Sequence, residues 1–208
     1  MKFLNFNKVL CLSPHPDDTE FSMMGTILKY YDTHFDILVL SKGGFNDLTN
    51  KEDRFKEVLD VWGDTQNVSV FSPHGSNFIQ DKTEGTWVDY IEKNFLKKYH
   101  DAIFIPSAKD AHWEHQIVAR LGTPLIRSSY KSVIEYKTAS TLDTWNPDLF
   151  VNIEKQYDSK VNSLNKFKSQ SDSRYFHHEV IRQFHVNFQC VKKQYFLVEQ
   201  FKFISHFC

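Results

Sequence analysis

The sequence predicts an α/β fold: a mostly parallel sheet with helices on both faces, three layers in all, and a small C-terminal extension. Two observations predict it. Short apolar runs alternate with stretches of helical period through the first two-thirds of the chain. The two densest groupings of imidazole and carboxylate each follow directly on a predicted strand, at the carboxyl edge where such sheets place their ligands. The length, 208 residues, suits one domain spanning 1–208, with a core over 1–146 and an extension over 147–208 that docks on the sheet and shapes the pocket.

The elements follow in order. Lys8 to Leu12 is a buried strand, and Glu20 to Tyr31 a helix. Phe35 to Leu40 is the second strand. Lys51 to Trp62 carries Phe55, Val58, Leu59 and Trp62 as a helical stripe, with Gly63 placed to end it. Val68 to Phe71 is the third strand, and Trp87 to Tyr99 a helix with Val88, Ile91, Phe95 and Leu96 on one side. Ala102 to Ile105 is the fourth strand, stopped by Pro106; His115 to Ile126 is a helix and Ser132 to Tyr136 a strand. After Pro147 the rhythm changes. Leu149 to Val151 reads as a short strand, Glu154 to Phe167 and Arg174 to Phe188 as helices, and Tyr195 to Phe203 as a closing strand.

Bulk properties exclude several classes. The formal net charge of −1 gives no electrostatic case for nucleic acid or an anionic membrane surface. No apolar run approaches bilayer length, and the N-terminus enters a strand without a signal-peptide core. Cys11, Cys190 and Cys208 are odd in number and scattered, which fits free thiols in a reducing, cytoplasmic compartment.

The first grouping is Ser13-Pro14-His15-Pro16-Asp17-Asp18-Thr19 and the second is Asp110-Ala111-His112-Trp113-Glu114-His115. If strands one and four are neighbours, the two meet at the topological switch point. A catalytic zinc takes three protein ligands, typically imidazole and carboxylate, and leaves one position open. His15, Asp18 and His115 can supply two nitrogens and one oxygen. Asp17 and His112 are then left beside the metal: the carboxylate suits a general base, the second imidazole an oxyanion donor. Each grouping alone has a plainer explanation, a turn with an Asp helix cap or a pair of histidines opening a helix. Their pairing after strands of one sheet favours a site.

These motifs resemble those of the PIG-L/LmbE family of zinc-dependent N-deacetylases. Pro14-His15-Pro16-Asp17-Asp18-Thr19-Glu20 with Gly25-Thr26-Ile27 resembles the family's first motif, and His112-Trp113-Glu114-His115 its second. Arg54, Glu57 and Gly63, then Lys160, Ser169-Gln170 and Val198-Glu199-Gln200-Phe201, resemble further family features. The resemblance implies a Rossmann-like sandwich, with His15, Asp18 and His115 as zinc ligands, Asp17 as base and His112 assisting at the tetrahedral intermediate. It implies removal of an N-acetyl or small N-acyl group from an amino-sugar conjugate. Without a membrane anchor, a soluble nucleotide sugar or glycoside is preferred. Iron or cobalt could replace zinc at such a site. There are departures. Glu114 stands where the family has Asp, so its bond to an imidazole must be re-aimed; Ser22-Met23-Met24 replaces most of a Gly-rich stretch; and Ser41-Lys42-Gly43-Gly44 lacks an acidic residue.

Lesser candidates complete the set. Arg54 is a candidate contact for a substrate phosphate or, since a buried arginine is normally paired, an ion-pair partner of Glu20 or Glu57. His74, after the third strand, and Trp113 are candidate substrate contacts. Glu20, Asp110 and Glu114 are candidates for orienting the ligands. A binding module with a relic metal site and a metal-dependent phosphoester hydrolase are the competing readings. An intact Asp17 argues against the first and the shortage of carboxylates against the second. Oligomeric state is not readable, and a homo-oligomer is compatible with the sequence.

Overall fold

The structure, a computed structural model, describes residues 1–42, 51–73, 78–95, 100–128, 132–189 and 193–206. Five parallel strands form the body of one sheet: β1 (Lys8–Ser13), β2 (His34–Val39), β3 (Val68–Phe71), β4 (Ala102–Pro106) and β5 (Ser132–Tyr136). Three later strands, β6 (Leu149–Asn152), β7 (Val186–Gln189) and β8 (Gln194–His206), are antiparallel additions. The order is β3-β2-β1-β4-β5-β8-β6, with β7 paired to β8 off this path. β1 and β4 lie side by side without being consecutive, so the growth of the sheet reverses between them and a crevice opens above their carboxyl ends.

Alternation along the strands builds two cores. Val9 and Cys11 of β1 face one side, where they join α1 (Asp18–Lys29), α2 (Lys51–Trp62), α5 (Tyr157–Leu164) and α6 (His178–His185) through Ile27, Trp62, Leu164 and Ile181. Leu10 and Leu12 face the other, where α3 (Glu84–Asn94) and α4 (Trp113–Gly122) supply Trp87, Ile91, Val118 and Leu121. Both faces are covered by helices, which is why inner strands carry consecutive apolar residues, as at Val9 to Leu12 and Ala102 to Ile105, rather than alternate ones. α4 lies close on β4: a Cβ at Gly122 would sit 2.2 Å from Ile105 Cγ2, so only glycine fits there.

The structure moves several boundaries. α1 starts at Asp18 rather than Glu20, and α4 at Trp113 rather than His115. α3 starts at Glu84 because the Thr83 hydroxyl accepts from the Thr86 N–H at 3.2 Å. Its expected end falls on residues 96–99, outside the described ones. The helix expected over Glu154 to Phe167 shrinks to Tyr157–Leu164, since the Asn152 side chain holds Glu154 N–H at 3.1 Å in a turn. The single helix expected over Arg174 to Phe188 is corrected most. A 3-10 turn (Arg174–Phe176) precedes α6, and Val186–Gln189 leaves the helix to pair with β8, where Val186 and Phe188 meet Leu197 and Tyr195. β8 is long because it serves three partners in succession: β7, then β6, then β5.

Candidate metal centre

Both sequence groupings span the loop that leaves the carboxyl end of a strand and the first turn of the helix that follows, and the two strands are neighbours, so the switch point brings them together. β1 ends at Ser13, and His15 to Asp18 turn the chain into α1. β4 ends at Pro106, and Asp110 to His112 lead into α4. His15 Nδ1 lies 3.0 Å and His115 Nε2 3.2 Å from the same oxygen, Asp18 Oδ2. One ligand atom from each of the three residues lies within 4.8 Å of the other two. Ligands about 2.1 Å from a tetrahedral ion lie roughly 3.4 Å apart, so the donor set and its spacing fit one divalent metal.

Other side chains fix these donors. Asp110 Oδ2 lies 3.2 Å from His115 Nδ1, which leaves Nε2 facing Asp18. Asp110 is itself held by the Ser140 hydroxyl at 2.6 Å, by the Thr138 hydroxyl, and by the His112 N–H at 2.8 Å. Glu114 does not bond the ring beside it in sequence. Its Oε2 lies 2.6 Å from His15 Nε2, and its Oε1 accepts from the Gln80 amide at 2.7 Å. Carboxylates orienting imidazoles in this manner are common around metal sites.

The electrostatics run the same way. Burial works against a charged His115 ring, but Asp18 and Asp110 outweigh it and raise its pKa to about 10. Burial likewise opposes charge on His15, and the Asp18 and Glu114 carboxylates bring it up to about 8. Burial also opposes charge on Asp18, yet His115 and His15 hold its carboxyl well below the usual range. The field that draws protons onto these rings would draw a divalent cation in their place.

Asp17 stands apart from the three donors. It precedes α1 with φ 103, a left-handed backbone that asparagine and aspartate enter more readily than other side-chain-bearing residues. Its carboxylate pairs with Arg54 at 3.0 Å and lines the cavity above the cluster. Burial pushes the Asp17 carboxyl up to about 6, against the pull of Arg54. This corrects the expected partner of Arg54. Glu20 instead accepts from the Trp62 indole at 2.6 Å, deep between α1 and α2, and Glu57 accepts from the Ser169 N–H and hydroxyl. Burial raises Glu20 to about 7.

His112 caps α4. Its Nδ1 accepts from the Glu114 N–H at 3.3 Å, so a neutral ring carries its proton on Nε2. Burial and the neighbouring His115 and His15 lower its pKa, which favours that neutral form. The ring stacks on His115 with centroids 4.6 Å apart. Trp113, by contrast, is 51 % exposed and is not among the cavity-lining residues. His74 lies outside the described residues.

The cavity measures about 190 Å³. His15, Asp17, Asp18, Arg54, His112 and His115 line it, together with Phe21, Ala139, Ser140, Gln170, Ser173, Tyr175 and Phe176. The residues from 170 to 176 belong to the region after β6, so the late part of the chain closes the site. Sequence reasoning missed Gln80, Ser140, Tyr175 and Phe176. Ser140 had a usable signal, since it follows β5 at the same sheet edge as the two groupings.

An open, mostly parallel α/β sheet with a His–His–Asp cluster at its switch point defines a class of α/β proteins with a group that could hold one metal beside a small cleft. Within that class the chain belongs to the PIG-L family: the family model described as "GlcNAc-PI de-N-acetylase" matches residues 10–126. Solved structures share the fold at low identity. An N,N'-diacetylchitobiose deacetylase from Pyrococcus horikoshii is 19% identical with a TM-score of 0.70, over 97% of this chain and 85% of that one. The conserved protein TT1542 from Thermus thermophilus is 17% identical at a TM-score of 0.71, over 93% of each chain. The zinc-inhibited form of teicoplanin deacetylase Orf2 is 9% identical at 0.68, over 94% of this chain and 98% of that one.

Proposed function

We propose that this protein is a metal-dependent N-deacetylase that removes an acetyl or other small acyl group from an amino-sugar conjugate. The observation that carries the reading is the placement of Asp17: a buried carboxylate beside the three-donor cluster, facing the same cavity, and engaged by Arg54 instead of by the donors. A site that only bound ligands would have no use for a base there. Family membership and the deacetylases among the fold neighbours support the same chemistry.

His15, Asp18 and His115 would hold the ion, with zinc the first choice and iron or cobalt as substitutes. When bound, the ion supplies a Lewis acid that acidifies water and polarises an acyl oxygen. The chain's own residues do the rest. Asp17 takes a proton from the attacking water. His112, neutral with its proton on Nε2, donates to the oxygen that becomes negative as the carbonyl is attacked. Asp17 or His112 then returns a proton to the departing amine. Phe21, Tyr175 and Phe176 offer apolar faces to a sugar ring, and Gln170, Ser140 and Ser173 offer polar groups to its substituents. A soluble glycoside or nucleotide sugar is the proposed substrate class; among the described residues no helix is long and apolar enough to cross a membrane. Cys11 is a buried free thiol, which agrees with a cytoplasmic setting.

The test is acetate release from a panel of N-acetylated monosaccharides, glycosides and nucleotide sugars. Release by the metal-loaded protein, loss on chelation and recovery with added zinc are expected. No release from any member by protein shown to carry metal would overturn the deacetylase reading. A second expectation concerns His112→Ala. Loss of one oxyanion donor lowers kcat by about a hundredfold or more, with metal content and KM little changed. Near-normal kcat would remove His112 from the mechanism.

A further inference from the structure

Two groups of side chains in this centre could hold a cation, and they share His15, whose two ring nitrogens face different carboxylates. His15, Asp18 and His115 offer one group; His15, His112 and Glu114 offer the other. Toward the first, His15 Nδ1 lies 3.0 Å from Asp18 Oδ2. Toward the second, His15 Nε2 lies 2.6 Å from Glu114 Oε2. The ring cannot serve both groups with one ion.

We propose that Glu114 is a positioning residue that commits His15 to bind metal through Nδ1, and that Gln80 steadies Glu114 in that task. This inference rests on the metal-dependent reading above and adds which atom binds and what decides it. Three observations carry it. Glu114 is 1 % exposed, and both of its oxygens are engaged, Oε2 by His15 and Oε1 by the Gln80 amide. A carboxylate held in this way is spent as an acceptor and keeps the His15 proton on Nε2. His112, the other member of the rival group, is engaged through Nδ1 as the cap of α4. Meanwhile the His15 backbone N–H donates to Asp18 Oδ2 at 2.9 Å, which locks the loop so that Nδ1 and that oxygen stay adjacent. The two histidine ligands then differ: His15 presents Nδ1 and His115 presents Nε2, because their carboxylate partners sit on opposite ring atoms, Glu114 on Nε2 and Asp110 on Nδ1.

Side-chain length enters here. Glu114 lies in the first turn of α4 directly before His115, yet it crosses to a ring on the loop after β1. Glu114 makes that contact at 2.6 Å, and a residue one methylene shorter would have to be re-aimed to reach the same ring nitrogen.

The experiment is NMR of the full chain labelled with ¹⁵N-histidine and loaded with ¹¹³Cd. Expected is cadmium coupling to Nδ1 of His15 and to Nε2 of His115, with none to His112. Coupling to Nε2 of His15 together with a His112 nitrogen would overturn the proposal while leaving a metal centre in place. Absence of coupling to any of the three rings would overturn the metal reading and this inference together. Chelator competition adds an independent readout. Glu114→Asp and Glu114→Ala should each weaken zinc binding by about 10–100-fold, and Glu114→Gln, which still accepts from His15, should weaken it less. Gln80→Leu should lower affinity in the wild-type background and change nothing further beside Glu114→Ala. Equal zinc affinity in Glu114→Ala and the wild type, with both folded by circular dichroism, would remove the positioning role.

Discussion

Replacing Asp17 with asparagine is expected to leave metal content unchanged and to lower turnover by about 10²–10⁴-fold. The substitution preserves shape. The asparagine oxygen can still accept from Arg54, as the Asp17 oxygen does at 3.0 Å, so the loop keeps its anchor. The left-handed backbone at position 17 also tolerates asparagine as well as aspartate. What is lost is the ability to accept a proton from water. Metal content should hold because the three donors around Asp18 Oδ2 do not include Asp17. The measurements are kcat on the best substrate of the acetate-release panel and zinc per chain by elemental analysis. Loss of zinc would make Asp17 a ligand; near-normal kcat would move the base elsewhere.

The sheet was legible in the sequence because its strands are buried on both faces and therefore written as unbroken apolar runs, such as Val9-Leu10-Cys11-Leu12. The meeting of the two polar groupings was legible for the same reason. Strand ends in an α/β sheet share one edge, so a motif after β1 and a motif after β4 have few other places to go. Partner choice was less legible. Arg54 has carboxylates at helical spacing on its own element and in α1, and which one it meets depends on the rotation of α1, which places Glu20 toward Trp62 and Asp17 toward Arg54. Glu114 reaches a ring 99 residues away instead of the imidazole next to it, a choice no local pattern encodes. Val186 to Phe188 suits a strand as well as a helix by composition, and only pairing with β8 decides between them.

Glu199→Ala is expected to cost about 3–5 kcal/mol of stability, a large part of the roughly 5–15 kcal/mol a domain has. Glu199 and Lys160 form an ion pair at 2.6 Å, each side chain fully buried. The pair is built into the backbone of α1. Glu199 accepts from the N–H groups of Gly25 and Thr26 at 2.8 and 2.6 Å, and Lys160 donates to the Phe21 carbonyl at 2.5 Å. Gly25 permits this approach, since a Cβ there would lie 3.1 Å from Glu199 Oε1 and 2.8 Å from Ile153. Removing Glu199 leaves a buried ammonium, whose pKa burial already lowers, and withdraws a partner from two backbone donors. Replacing both charges with apolar residues should recover only part of the loss, because the backbone groups of α1 remain short of partners. The exposed pair of Arg120 and Glu84, of similar length at 2.7 Å but with side chains half in solvent, is the internal control; breaking it should cost about 0–1 kcal/mol. Urea midpoints of the variants measure the difference. The consequence for the site follows from the same bonds. α1 begins with Asp18 and carries Phe21 into the cavity wall, so a loosened α1 should weaken zinc binding as well as stability. A Glu199→Ala protein as stable as the wild type would mean that the strand β8 holds α1 through apolar packing alone.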